Sequence, residues 1–176
     1  NVTVTAGTAS KLAVVTQPVG GGSGAVLGTQ PVIEIRDAQG NRTASTANVT
    51  VAIQSGVGGT LGGTTTVAAV NGRATFTDVT LAGTVSTNYV LRFSSGLLAT
   101  VDSSNVTVTA GTASKLAFTT QPSSSTVAGV AFSTQPVVTV QDANGNTVTG
   151  STASIALTLT TGAGALGGTA TMNAVN

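Results

Sequence analysis

The chain has 176 residues, of which only 6% are charged, six basic against five acidic, for a net charge of +1. So sparse a charge set argues against a nucleic-acid surface, which needs clustered Lys and Arg. The absence of Cys and His removes disulfides, thiol and imidazole chemistry and the usual zinc and copper ligands.

The first predicted element, Asn1–Thr5, recurs as Asn105–Thr109. The identity runs on: Asn1–Gln17 and Asn105–Gln121 agree at fifteen of seventeen positions, 104 residues apart. That period exceeds a solenoid unit of about 20–50 residues and suits a whole domain. The chain therefore reads as a stretch of a tandem array. Asn1–Thr5 is taken as the last strand of a preceding repeat, 6–109 as a complete repeat, and 110–176 as a second repeat truncated before its last strands. A chain opening on Asn1, with no basic stretch before an apolar one, reads as an internal piece of a longer polypeptide. No apolar run approaches the ~18 residues of a membrane-spanning helix.

Laid over each other, the copies place Lys11 on Lys115, Pro31 on Pro136, Val49 on Ile155, Leu61 on Leu166 and Asn71 on Asn176. The spacing changes by one residue at a time. Such slips fall in loops, because inside a strand each would turn the side chains to the wrong face. Loops are thus expected between Pro18 and Gln30, between Asn41 and Val49, and between Val57 and Leu61.

The Val- and Thr-rich runs between the loops alternate with period two and show no helical period. In chain order the complete copy predicts strands over Lys11–Thr16, Pro31–Arg36, Val49–Gln54, Thr64–Ala69, Ala74–Leu81, Asn88–Ser94 and Asn105–Thr109. Ile33 and Ile35 should face inward, with Val32, Glu34 and Arg36 outward. Val138 and Val140 repeat the inner pair, whereas Glu34 and Arg36 become Thr139 and Gln141. Leu12 and Val14 become Leu116 and Phe118. Tyr89, Leu91 and Phe93 share one face, and Val106 and Val108 complete the core. Asn71-Gly72 is a hairpin turn signal, both positions tolerating positive φ, and Asp37–Asn41 is a second turn. Short strands with turns every 8–12 residues predict an all-β fold of tandem immunoglobulin-like sandwiches of about seven strands each, with a small closed barrel as the rival. Phe76 and Phe93 are expected as core aromatics. Tyr89 is either a tyrosine corner, its hydroxyl bonded to nearby backbone, or a further core aromatic.

Several constellations suggest chemistry. Ser is plentiful, but a Ser nucleophile needs a base, and Lys11 and Lys115 fall on the outward phase of their strands. The acids Glu34, Asp37, Asp78, Asp102 and Asp142 have no spacing that forces two together. The chain is expected not to be an enzyme and to need no cofactor. Asp37 with Asn41, and Asp142 with Asn144 and Asn146, offer oxygens of the kind calcium takes. The same residues are what a tight turn uses for local hydrogen bonds and positive φ. Asp78 or Asp102 beside a neighbouring domain is a further calcium candidate. Asn1, Asn41, Asn48 and Asn105 stand in N-x-T sequons, which a Thr-rich sequence produces by chance. Gly20–Gly24 (GGGSG) lacks the Lys and the helix of a phosphate loop and reads as a flexible connection.

The segments KLAVVTQP and KLAFTTQP, QPVIEIRDAQGN and QPVVTVQDANGN, LGGTTT and LGGTAT, and NGRATFTDVTL resemble the bacterial immunoglobulin-like (Big-type) repeats of cell-surface proteins, such as invasin and intimin stalks and large repetitive adhesins. The resemblance covers the whole chain. It implies an extracellular or cell-surface location and a rod or fibre of repeats, with AGTAS (Ala6–Ser10 and Ala110–Ser114) as the interdomain link. An intramolecular Lys–Asn isopeptide bond, found in some such domains, needs an inward Lys, and Lys11 faces out. The expected function is a structural repeat, each domain adding roughly 35–45 Å of stalk, spacer or filament body. The expected partners are neighbouring repeats of the same chain and, in a filament or bundle, identical chains. One alternative is a self-assembling filament subunit with strand or lateral contacts between chains. Another is a multivalent glycan- or host-binding adhesin repeat, for which the sequence offers no exposed aromatic cluster. Near-identical neighbours invite strand swapping, against which Glu34, Arg36 and Arg92 are among the few exposed charges.

Overall fold

The structure, a computed structural model, describes residues 1–3 and 5–175. It is all-β and divides into two compact units, Asn1–Thr109 and Ala110–Asn176. The expected strand Asn1–Thr5 includes Val4, which lies outside the described residues. So does Asn176, the partner of Asn71 in the alignment of the copies.

Among the described residues the first unit has nine strands: β1 (Ala9–Thr16), β2 (Val32–Asp37), β3 (Asn48–Ser55), β4 (Thr60–Gly62), β5 (Thr66–Ala68), β6 (Arg73–Thr75), β7 (Thr80–Ala82), β8 (Val90–Ser94) and β9 (Val101–Asp102). They form antiparallel sheets in the orders β1-β2-β6 and β5-β3-β8-β9, with β4 and β7 as a separate pair. The core lies between the inner faces. Ile33, Ile35, Val49, Ala74, Val79, Tyr89, Leu91 and Phe93 are wholly buried, and the Phe76 and Phe93 rings meet at 5.8 Å with a 56° tilt. Such tilted contacts add to plain area burial because ring edge and ring face carry opposite partial charge.

Three differences from the sequence-based expectation have local causes. The predicted strand Ala74–Leu81 is two strands in two sheets, β6 beside β2 and β7 beside β4. Between them the Asp78 carboxylate accepts from the Thr64 amide at 3.0 Å and the Thr64 hydroxyl at 2.9 Å. Those bonds hold the chain where it crosses over. Thr60–Gly62 and Val101–Asp102 pair although they are too short to alternate visibly. The predicted strand Asn105–Thr109 makes only isolated bridges, Val106 with Tyr89 and Thr109 with Gly22. It still buries Val106 and Val108.

The second unit contains β10 (Lys115–Thr120), β11 (Val137–Gln141), β12 (Ser154–Ala156) and β13 (Thr171–Asn173), paired β10-β11 and β12-β13. Its registers reproduce the first unit. Leu116 opposes Val140 as Leu12 opposes Ile35, and Phe118 opposes Val138 as Val14 opposes Ile33. Even the irregularity at the strand end recurs, between Val14 and Thr16 and between Phe118 and Thr120. Ile155 opposes Met172 as Val49 opposes Val67. Val140 is buried, but Leu116 and Phe118, expected to face inward, are about half exposed at 54% and 48%.

Candidate functional site

The turn after β2 and the segment before β1 are held together by one carboxylate. Asp37 is buried; its Oδ2 accepts from the Gly7 amide at 2.8 Å and from Asn41 Nδ2 at 3.0 Å, and its Oδ1 accepts from the Asn41 amide at 2.8 Å. The second copy repeats the arrangement. Asp142 Oδ2 accepts from the Gly111 amide and from Asn146 Nδ2, each at 2.8 Å, and Oδ1 accepts from the Asn144 and Asn146 amides at 2.9 Å. Gly40 and Gly145 give each turn its positive φ, 93° and 85°. The Gly7 amide and the Asn41 donors hold the Asp37 pKa down at about 2. Burial pushes the Asp142 carboxyl up, but the donors from Gly111, Asn146 and Asn144 outweigh it and the net shift is downward.

These are the residues named above as calcium candidates. In the structure their carboxylate oxygens face N–H donors, so they close a turn and clamp the AGTAS segment to the domain it enters. The Gly7 and Gly111 half of the clamp has no chemical signature in the sequence. Its one signal is that the AGTAS segment recurs unchanged in both copies.

Tyr89 is fully buried, and its hydroxyl accepts from the Thr84 amide at 2.8 Å. Three glycines enclose the ring: a Cβ added at Gly56, Gly59 or Gly83 would overlap Tyr89 ring or hydroxyl atoms. Asn71 and Gly72 both have positive φ, 49° and 73°, between the bridged residues Val70 and Arg73. Gly72 also accepts from the Ile35 amide and donates to the Ser45 carbonyl, each at 2.8 Å. Lys11 Nζ donates to the Ala38 carbonyl at 3.0 Å, and Lys115 Nζ to Ala143 at 3.1 Å.

Glu34 is the clear correction. Expected outward and exposed, it is buried, because three guanidiniums close over it. Arg36 binds Oε2 through Nε at 3.1 Å and Nη2 at 2.8 Å. Arg73 binds Oε1 at 3.0 Å, and Arg42 reaches Oε1 at 3.7 Å. Burial raises the Glu34 pKa, and the Arg36 and Arg73 hydrogen bonds reverse the shift and lower it. Sequence reading missed Arg42 and Arg73 as its partners, since neither is adjacent to it in the chain. Arg92 instead pairs singly with Asp102 at 2.7 Å.

In the second unit the two strand pairs border an open groove of about 970 Å³ whose walls include Leu116, Phe118, Val138, Ile155, Leu157 and Met172. These walls are apolar, with no titratable group among these side chains.

No known protein family matches the chain, and no curated protein does. Among solved structures it is similar to domains 4–9 of the surface layer protein SbsC, with a TM-score of 0.39 and 20% identity over 88% of this chain. The chain spans about a quarter of that structure, 24% of its length. A likeness this loose assigns neither a family nor a role.

Proposed function

We propose that the chain is a structural repeat module of a bacterial cell-surface or extracellular fibrous protein, serving as stalk, spacer or filament body and catalysing no reaction. The observation that carries this reading is the aspartate clamp, present in both copies. The Thr109 amide donates to Gly21 at 2.9 Å and its carbonyl accepts from Ser23 at 2.8 Å, which anchors it in the first unit. Gly111 is anchored in the second by Asp142 at 2.8 Å. Ala110 alone lies between the two anchored residues. A junction so short restricts reorientation far more than a free five-residue linker does, which is what a load-bearing or length-setting repeat requires.

The equal strand registers of the two units favour a second reading, a filament subunit in which a strand of one chain pairs in the sheet of another. Cryo-electron microscopy of the native material separates the two. Single chains beaded at about 35–45 Å support the spacer. Several chains in register, each completing another's sheet, replace it with the assembling subunit. Independent tumbling of the two units, seen as unrelated alignment tensors in residual dipolar couplings, overturns the stiff-junction argument itself.

A further inference from the structure

The outer face of the β1-β2-β6 sheet gathers four of the chain's six cations in two adjoining rows. Lys11 opposes Arg36 across β1 and β2, and Arg36 bridges Arg42, so three positive side chains stand side by side. In the next row Glu34 opposes Arg73. Like charges placed directly opposite one another destabilise a sheet. Here a single carboxylate offsets four cations, while the whole chain carries only +1. Other charges are engaged elsewhere, Arg92 with Asp102 and Asp37 with the Gly7 amide.

The Arg36, Arg42 and Arg73 side chains remain 34%, 46% and 45% exposed. A guanidinium has five donors, so each keeps donors free beyond those aimed at Glu34. The second copy has the same strand register with Lys115 kept but without Glu34, Arg36 and Arg42: Lys115 opposes Gln141, and Gln141 bridges Thr147. The pairing of these two strands therefore does not need Glu34, Arg36 or Arg42, and their presence in one copy asks for a ligand.

We propose that the β1-β2-β6 face of the first unit is a binding surface for a linear phosphate-bearing polyanion, held by Arg36, Arg42, Arg73 and Lys11. Guanidinium forks match phosphate oxygens two at a time, and cations in adjoining rows can take successive charges of a chain. Binding at one unit is weak and salt-dependent, and tandem units bearing the cluster raise it through effective concentration. An anionic membrane is a poorer fit, because the cationic rows include no large apolar side chain to enter a bilayer.

The test is an NMR titration of the full chain with linear polyphosphate at about 20 mM NaCl, repeated at about 200 mM, where affinity should fall by about tenfold or more. Saturable shifts are expected at Lys11, Arg36, Arg42 and Arg73, with Arg92 and Lys115 unmoved. The triple variant Glu34→Thr, Arg36→Gln, Arg42→Thr carries the side chains of the second copy and so keeps a sheet surface the fold already uses. It should bind about tenfold more weakly or worse. Glu34→Gln keeps the cations and should bind at least as tightly as the parent. Absence of saturable shifts, equal binding by the triple variant, or binding to phosphatidylglycerol vesicles without binding to polyphosphate overturns the proposal.

Discussion

Asp37 accepts the Gly7 amide at 2.8 Å across thirty residues of chain, fastening the segment that enters the domain to the turn that follows β2. Asp142 and Gly111 repeat the bond at 2.8 Å. In the second unit Asp142→Ala strips the acceptor from the Gly111, Asn144 and Asn146 amides. Leaving such donors unpaired costs about 1–3 kcal/mol where they are buried. Amide hydrogen exchange should quicken at Gly111 and Asn146 before it changes elsewhere. Unaltered protection at Gly111 would remove the clamp from the account of the junction.

The first clamp also sets an acid limit. Asp37 has its pKa lowered from 3.8 to about 2 by the Gly7 and Asn41 donors. A carboxylate with a depressed folded-state pKa contributes stability that is fully present above its unfolded value and is lost as pH falls through the folded one. Melting temperature should therefore hold down to about pH 4 and drop between about pH 4 and pH 2. In Asp37→Asn that part of the drop should be missing, from a lower starting stability. Parallel pH profiles for the two proteins would assign the acid transition to another group.

The packing around Tyr89 predicts an unusual intolerance of small residues. Gly83 has no positive φ, so an alanine there meets no backbone strain, yet its Cβ would overlap the Tyr89 hydroxyl. Gly83→Ala should destabilise the first unit by about 1–3 kcal/mol, the usual range for overpacking. The double variant with Tyr89→Phe should recover part of the loss, because the overlapping oxygen is gone. Chemical denaturation with a double-mutant cycle measures this coupling, and additive effects would place the clash elsewhere.

Equivalent leucines in the two copies should respond differently. Leu12 is 5% exposed and Leu116 is 54% exposed. Leu12→Ala should cost about 2–4 kcal/mol, as for a buried core leucine, and Leu116→Ala less than about 1 kcal/mol. Equal losses in urea titrations would mean that Leu116 is covered in solution.

Much of the fold was legible because it depends on near neighbours in the chain. Period-two alternation placed Ile33 and Ile35 inward, and the Asn71-Gly72 pair marked a turn whose φ values only such residues adopt readily. The break between β6 and β7 was read over: Ala74 and Phe76 are buried at even positions and Val79 and Leu81 at odd ones, a change of phase that falls where the Thr64–Asp78 bonds hold the crossing. The candidate sites were half legible. Asp37, Asn41, Asp142 and Asn146 stood out as oxygen donors, but the donors that occupy their oxygens come largely from backbone amides, which every sequence supplies and no sequence marks.

The sequence by itself determined the register of the long strand pair: equivalent positions in the two copies produced equal registers, Leu12 on Ile35 and Leu116 on Val140, because register is set by side-chain alternation and the intervening turn. Tertiary structure decided burial. Leu12 is covered by Phe76, Leu91, Phe93 and the rest of the core, which come from later in the same repeat. Glu34 stands on an outward phase yet is buried under guanidiniums drawn from three separate places in the chain. Alternation dictates which way a side chain points, but what it meets there is a property of the assembled sheets.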